Sequence, residues 1–157
     1  MHERILMPLD GSKMGEAALP YIEKLISKLS PEIKAEVTLL QVVSLLTHYI
    51  IAGEASAPLP YTDRELKLIK TKAMDYLNKA KGTIRNKGIK VKIKVGTGKA
   101  SDEIIKIANE IKADLIAMST HGRSGFSRWA FGSVTDRVLQ GADVPVLIVR
   151  VREGTKK

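Results

Sequence analysis

IKVKIKVGTGKASDEIIKIANEIKADLIAMS, residues 89–119, changes its hydrophobic period twice. From Ile89 to Val95 the alternation is strict, with Ile89, Val91, Ile93 and Val95 set against Lys90, Lys92 and Lys94. A period of two with one apolar face predicts a strand, and the lysine row suits an edge strand protected against aggregation. In DEIIKIANEI the period becomes helical, with Ile104, Ile105, Ala108 and Ile111 inward; Asp114–Ser119 is again a short apolar strand. Strand, helix and strand in this order predict a right-handed crossover between parallel strands.

The same alternation continues outward. Arg4–Leu9 reads as a strand and Asp10-Gly11-Ser12 as a turn, with Ser12 placed to N-cap a helix from about Lys13 to Leu29. Ala17, Ala18, Tyr21, Leu25 and Leu29 are expected to face inward on that helix. Glu36–Val43 is β-branched and apolar enough to be a central strand. The connection 44–61, SLLTHYIIAGEASAPLPY, is longer than ordinary loops, which predicts a functional or mobile segment. A helix over about 62–86 follows, its stripe formed by Leu66, Ile69, Ala73, Leu77, Ala80 and Ile84. Residues 120–133 form a Gly/Ser-rich loop, 134–142 a short helix and Pro145–Val151 a fifth strand. The fold expected is therefore α/β. One domain over residues 1–152 holds a five-stranded, mostly parallel Rossmann-like sheet with helices on both faces, and 153–157 form a frayed basic tail. Ligands in such sheets lie at the carboxyl ends of the strands, where strand order reverses.

Composition narrows the function. The 157 residues suit one domain, and 44% hydrophobic with 27% charged residues excludes a disordered or fibrous chain. The absence of cysteine excludes a disulfide scaffold, a zinc finger, an iron–sulfur site and a thiol nucleophile. No apolar run reaches the roughly 18 residues of a membrane span. Pro8 and Asp10 come too early for a signal peptide, so the expected location is the cytoplasm. The net charge of +9 is concentrated between Arg64 and Lys99, where 12 basic residues meet only Glu65 and Asp75. With aromatics at only 4%, that excess reads as solvated lysine faces, and specific nucleic-acid binding is not expected.

Several chemistries fail on spacing. GTGKAS lacks the upstream glycine of a P-loop, whose place is taken by Ile93. No dinucleotide fingerprint follows the first strand, and there is no G-x-S-x-G elbow. His2, His48 and His121 have no metal-ligand spacing, and Asp10 lacks the second aspartate of phosphoryl-transfer sites. The stretch 118–134, MSTHGRSGFSRWAFGSV, is different. Gly122 and Gly125 permit close backbone approach, Arg123 and Arg128 offer charge, and Gly132-Ser133 opens a helix whose first N–H groups suit an anion. Phosphate binding is the expectation.

These residues resemble the universal stress protein family over essentially the whole chain. ILMPLDGS is similar to the family's first strand, EVTLLQVV to its second, VGTGKASDEIIKIANEIKADLIAMSTHGRSG to its third-to-fourth-strand stretch, and VPVLIV to its last strand. Its ATP-binding members carry G-x-x-G-x9-G-[ST]; here the register is Ser119, Gly122, Gly132 and Ser133, with serine replacing the first glycine. The resemblance implies that Asp10, with Pro8 and Leu9, lines ribose and adenine, and that Val42 offers its backbone to adenine. It places Met118 and Ser119 beneath the nucleotide and Gly96 at its edge. Gly122, Arg123, Gly132, Ser133 and Val134 would cradle the triphosphate of ATP, with Mg2+ or Mn2+ held mainly by phosphates and water. The function implied is a nucleotide-dependent stress or signalling module with slow or no hydrolysis. The alternatives are a slow ATPase or phosphoryl-transfer enzyme, with His121 and Asp10 as its only candidates, and a dimeric member that binds no ATP. The apolar edge strand Pro145–Val151 and the resemblance together predict a homodimer.

Overall fold

A computed structural model describes residues 2–49, 57–122 and 131–152. Strands β1 (His2–Pro8), β2 (Lys34–Val43), β5 (Ile89–Thr97), β6 (Leu115–Gly122) and β7 (Val146–Arg152) form one parallel sheet in the order β5-β2-β1-β6-β7. This is the expected five-stranded architecture, with β1 at its centre and the order reversing between β1 and β6. Helices α1 (Ala18–Ile26) and α2 (Asp63–Thr83) cover one face. There Ile22, Leu77 and Ala80 pack with Met7, Val37 and Leu39. Helices α3 (Ala100–Glu110) and α4 (Ser133–Gly141) cover the other face, where Ile104, Ile107 and Val138 meet Leu6, Leu40 and Ile116. Burying both sheet faces explains the nearly continuous apolar runs of β1 and β2.

The first helix departs from expectation. A 3-10 turn, Gly15–Ala17, precedes α1, and the helix buries Ala18, Leu19, Ile22 and Ile26. Tyr21 and Leu25 are 58% and 40% exposed. The sequence carries two overlapping apolar stripes, and the tertiary contacts at the helix start select the other one. Ser12 makes the expected capping bond, its hydroxyl accepting from the Gly15 N–H at 2.9 Å, but the turn it caps is the 3-10 segment and regular α-helix begins only at Ala18. On α3 the reading missed Ile107, 1% exposed, while Ile105 and Ile111 are only half-buried.

The connection 44–61 holds an antiparallel hairpin, β3 (Leu46–Tyr49) with β4 (Ala57–Pro60), where a loop was expected; residues 50–56 lie outside the described part. Strand β6 also runs beyond Ser119, because Thr120, His121 and Gly122 keep their register with Arg150, Val151 and Arg152. On α2 the predicted stripe holds, with Ala73, Leu77 and Ala80 buried. A capping box sets its start: Glu65 N–H donates to the Thr62 hydroxyl, and Thr62 N–H donates to the Glu65 carboxylate. Those bonds from Thr62 hold the Glu65 carboxyl below the usual range. The tail 153–157 lies outside the described residues, and among those described no helix is long and apolar enough to cross a membrane.

Candidate functional site

At the carboxyl end of the sheet, where strand order reverses, a cleft of about 280 Å³ opens between the ends of β1, β2 and β6 and the start of α4. Nine of the twelve residues singled out from sequence line it. Pro8, Leu9 and Asp10 form one wall, Val42 another, Met118 and Ser119 the floor, and Gly132, Ser133 and Val134 the far side. Among the described residues Gly15, Leu40, Ala100, Ile104, Thr120 and Thr135 also line it.

Of the other three, Gly96 pairs with Val42 and stands apart from the described cleft lining. A β-carbon at Gly96 would stand 3.2 Å from both Glu103 Oε2 and Ile107 Cδ1, so this glycine serves the close approach of α3 to β5. Gly122 ends β6 in register with Arg152. Arg123 lies outside the described residues, as do Gly125 and Arg128.

The start of α4 has the electrostatic form expected of an anion site. Gly132 is its N-cap with no side-chain cap, and the first intrahelical bond runs from Asp136 N–H to the Gly132 carbonyl at 2.9 Å. The N–H groups of Ser133, Val134 and Thr135 therefore have no intrahelical acceptor, and the helix dipole adds positive charge there. Gly132 has φ −63° and ψ 155°, a backbone any residue adopts. Among the described residues nothing lies within 4 Å of where its β-carbon would stand. Backbone strain does not account for glycine at this position, and Gly132 lines the cleft.

The opposite wall is held by hydrogen bonds. Asp10 Oδ1 accepts from Ser12 N–H at 2.9 Å and from the Ser12 hydroxyl at 2.6 Å. Gly11, with φ +86°, makes the turn that a side chain would strain. Gly15 is the residue sequence reading missed. A β-carbon there would collide with Asp10 Oδ1, so glycine lets the carboxylate lie against the backbone. Its only sequence signal is a lone glycine five positions after Asp10. Beneath this turn, burial raises the Tyr76 hydroxyl well above its ordinary range, and the charges of Glu16 and Asp10 push the same way. Among the described residues no group of three or more His, Cys, Asp or Glu side chains is placed to hold a metal ion.

Comparison with known proteins adds an independent observation. The model of the universal stress protein family matches residues 1–150. Universal stress protein MJ0531 of Methanocaldococcus jannaschii is 32% identical over 151 residues, covering 96% of this chain and 83% of its own length. The solved structure of MJ0577, from the same organism, shares the fold with a TM-score of 0.69 at 26% identity, covering 98% of this chain and 99% of its own. A universal stress protein solved in complex with cAMP has a TM-score of 0.59 at 19% identity, covering 94% and 96%.

Proposed function

We propose that this chain, which belongs to the universal stress protein family, binds an adenine nucleotide, ATP in the first instance, in the cleft between β1, β2, β6 and α4. One observation carries the reading. Residues far apart in sequence, Pro8–Asp10, Val42, Met118–Ser119 and Gly132–Val134, converge on one cleft that ends at a helix N-terminus whose N-cap is glycine. Those residues fit the ligand's two ends. The backbone of Val42 would read adenine, the Asp10 carboxylate would accept from ribose hydroxyls, and the N–H groups of Ser133 and its successors would take phosphate. The cAMP complex of a relative with the same fold is consistent with an adenine ligand. A divalent ion would be held through phosphates and water, because hard cations of this kind keep several waters. The protein would act as a nucleotide-dependent module with slow or no turnover, its output carried by a homodimer through β7.

Two measurements test the reading. Denaturing freshly purified protein and identifying released nucleotide by mass spectrometry should yield an adenine nucleotide. ATP with magnesium at about 100 times its dissociation constant should add roughly 2.7 kcal/mol of stability. For a domain of this size that raises the melting temperature by roughly 5–11 °C. Gly132→Val fills the open space without straining the backbone, so it should abolish the shift and leave the unliganded fold intact. No shift in the wild-type protein would place it among members that bind no ATP.

A further inference from the structure

Ser119 occupies the place where the ATP-binding motif carries glycine, and its hydroxyl both donates and accepts. It accepts from the Ala18 N–H at 2.9 Å and donates to the Gly15 carbonyl at 3.0 Å. From Gly15 the connection continues. Gly15 N–H donates to the Ser12 hydroxyl at 2.9 Å, and that hydroxyl donates to Asp10 Oδ1 at 2.6 Å. Each hydroxyl spends its single proton once and accepts once, so the chain is consistent in its donors and acceptors. It links the floor strand β6 to the carboxylate on the opposite wall, across more than a hundred residues of sequence.

We infer that Ser119 is a positioning residue for ligand binding. By clamping the Gly15–Ala18 turn to β6, it sets the place of the Asp10 carboxylate in the cleft. This rests on the nucleotide reading above and adds a residue that acts through Asp10. Two features favour a dedicated clamp over a tolerated glycine replacement. The Ala18 N–H opens α1, and beside its short-range backbone acceptor, the Glu16 carbonyl, it takes the Ser119 hydroxyl from a distant strand. Gly15, the other end of the clamp, is the one residue whose lack of a side chain admits Asp10.

The test measures ATP affinity by calorimetry in wild type, Ser119→Ala, Ser119→Gly, Asp10→Ala and the Ser119→Ala/Asp10→Ala double variant. Losing the two hydroxyl bonds should weaken ATP about tenfold in both Ser119 variants. The double variant should bind no worse than Asp10→Ala alone, because a residue acting through Asp10 has nothing left to position. Ser119→Gly binding as well as or better than wild type would overturn the inference, and so would losses that add in the double variant. A wild-type chain that binds no adenine nucleotide overturns the nucleotide reading instead. The clamp itself is then decided by hydrogen exchange at the Ala18 amide. That amide should be protected in wild type and exposed in Ser119→Ala, and unchanged protection would overturn the clamp.

Discussion

The two edges of the sheet are built in opposite ways. Strand β5 carries lysines on alternate positions, and acidic partners hold them. Glu36, 9% exposed, meets Lys92 at 2.6 Å and Lys90 at 3.2 Å, while Lys94 reaches Glu110 at 2.7 Å. Strand β7 at the other edge is apolar from Val146 to Val149, and charge returns only at Arg150. A charged edge resists pairing with another chain, and an apolar one invites it. The contrast teaches that three lysines, Lys90, Lys92 and Lys94, serve one edge as protection, while the other remains suited to a second copy.

Breaking the β7 edge should give the largest effect. Val151 is half-buried and belongs to neither core cluster. Val151→Lys should raise the dissociation constant of the proposed homodimer tenfold or more, read as a fall toward monomer mass by light scattering. Unchanged mass with the fold intact by circular dichroism would count against β7 as the interface. Stripping the other edge tests the converse. Lys90→Val, Lys92→Val and Lys94→Val together should create association absent from wild type, visible as larger species in the same measurement. If the triple variant behaves like wild type, the lysines are not what protects β5.

A smaller effect concerns stability. The hydrogen bond from Lys92, chiefly, and that from Lys90 hold the Glu36 carboxyl below the usual range against the cost of burial. Glu36→Gln should cost about 1 kcal/mol, a charged hydrogen bond discounted because both lysines are more than half exposed. Because the folded carboxyl titrates below the unfolded one, its contribution is whole near neutral pH. It is lost as pH falls through the folded value. The melting-temperature gap between wild type and variant should therefore narrow on acidification, and a constant gap would show that charge is not the cause. Smallest of all is Glu110, whose carboxyl Lys94 lowers at the exposed surface. Glu110→Gln should leave the melting temperature close to wild type, since exposed pairs contribute little; a loss as large as that of Glu36→Gln would erase the distinction between a sheltered and an exposed partner.

The legibility of the chain follows the range of the forces involved. Strand β5 was readable because a period of two with lysines on one side admits few other structures. The stripe of α2 was readable for the same reason. The phase of α1 was not, since Ala17, Tyr21 and Leu25 offer as good a stripe as Leu19, Ile22 and Ile26. Leu19, Ile22 and Ile26 are the ones that meet the core of β1, β2 and α2, and Ser119, 101 positions away, holds the helix start. The β3–β4 hairpin was also hidden, because Pro58 and Pro60 demote a strand reading in a segment that pairs only with itself.

At the site, residue type and spacing were enough to nominate Gly132 and Ser133, because a glycine before a helix start has a local chemical meaning. Gly96 was nominated by the family resemblance alone, and there Glu103 and Ile107 of α3 pack close to where a β-carbon would stand. Local pattern determined the elements, the edge strand and the helix that presents N–H groups. Only the tertiary structure decided which of those groups share a cleft, that Gly15 must admit Asp10, and that Ser119 ties β6 to the turn that follows β1. Hydrogen bonds between distant residues depend on where the packed sheet brings them, and no window of sequence contains both partners.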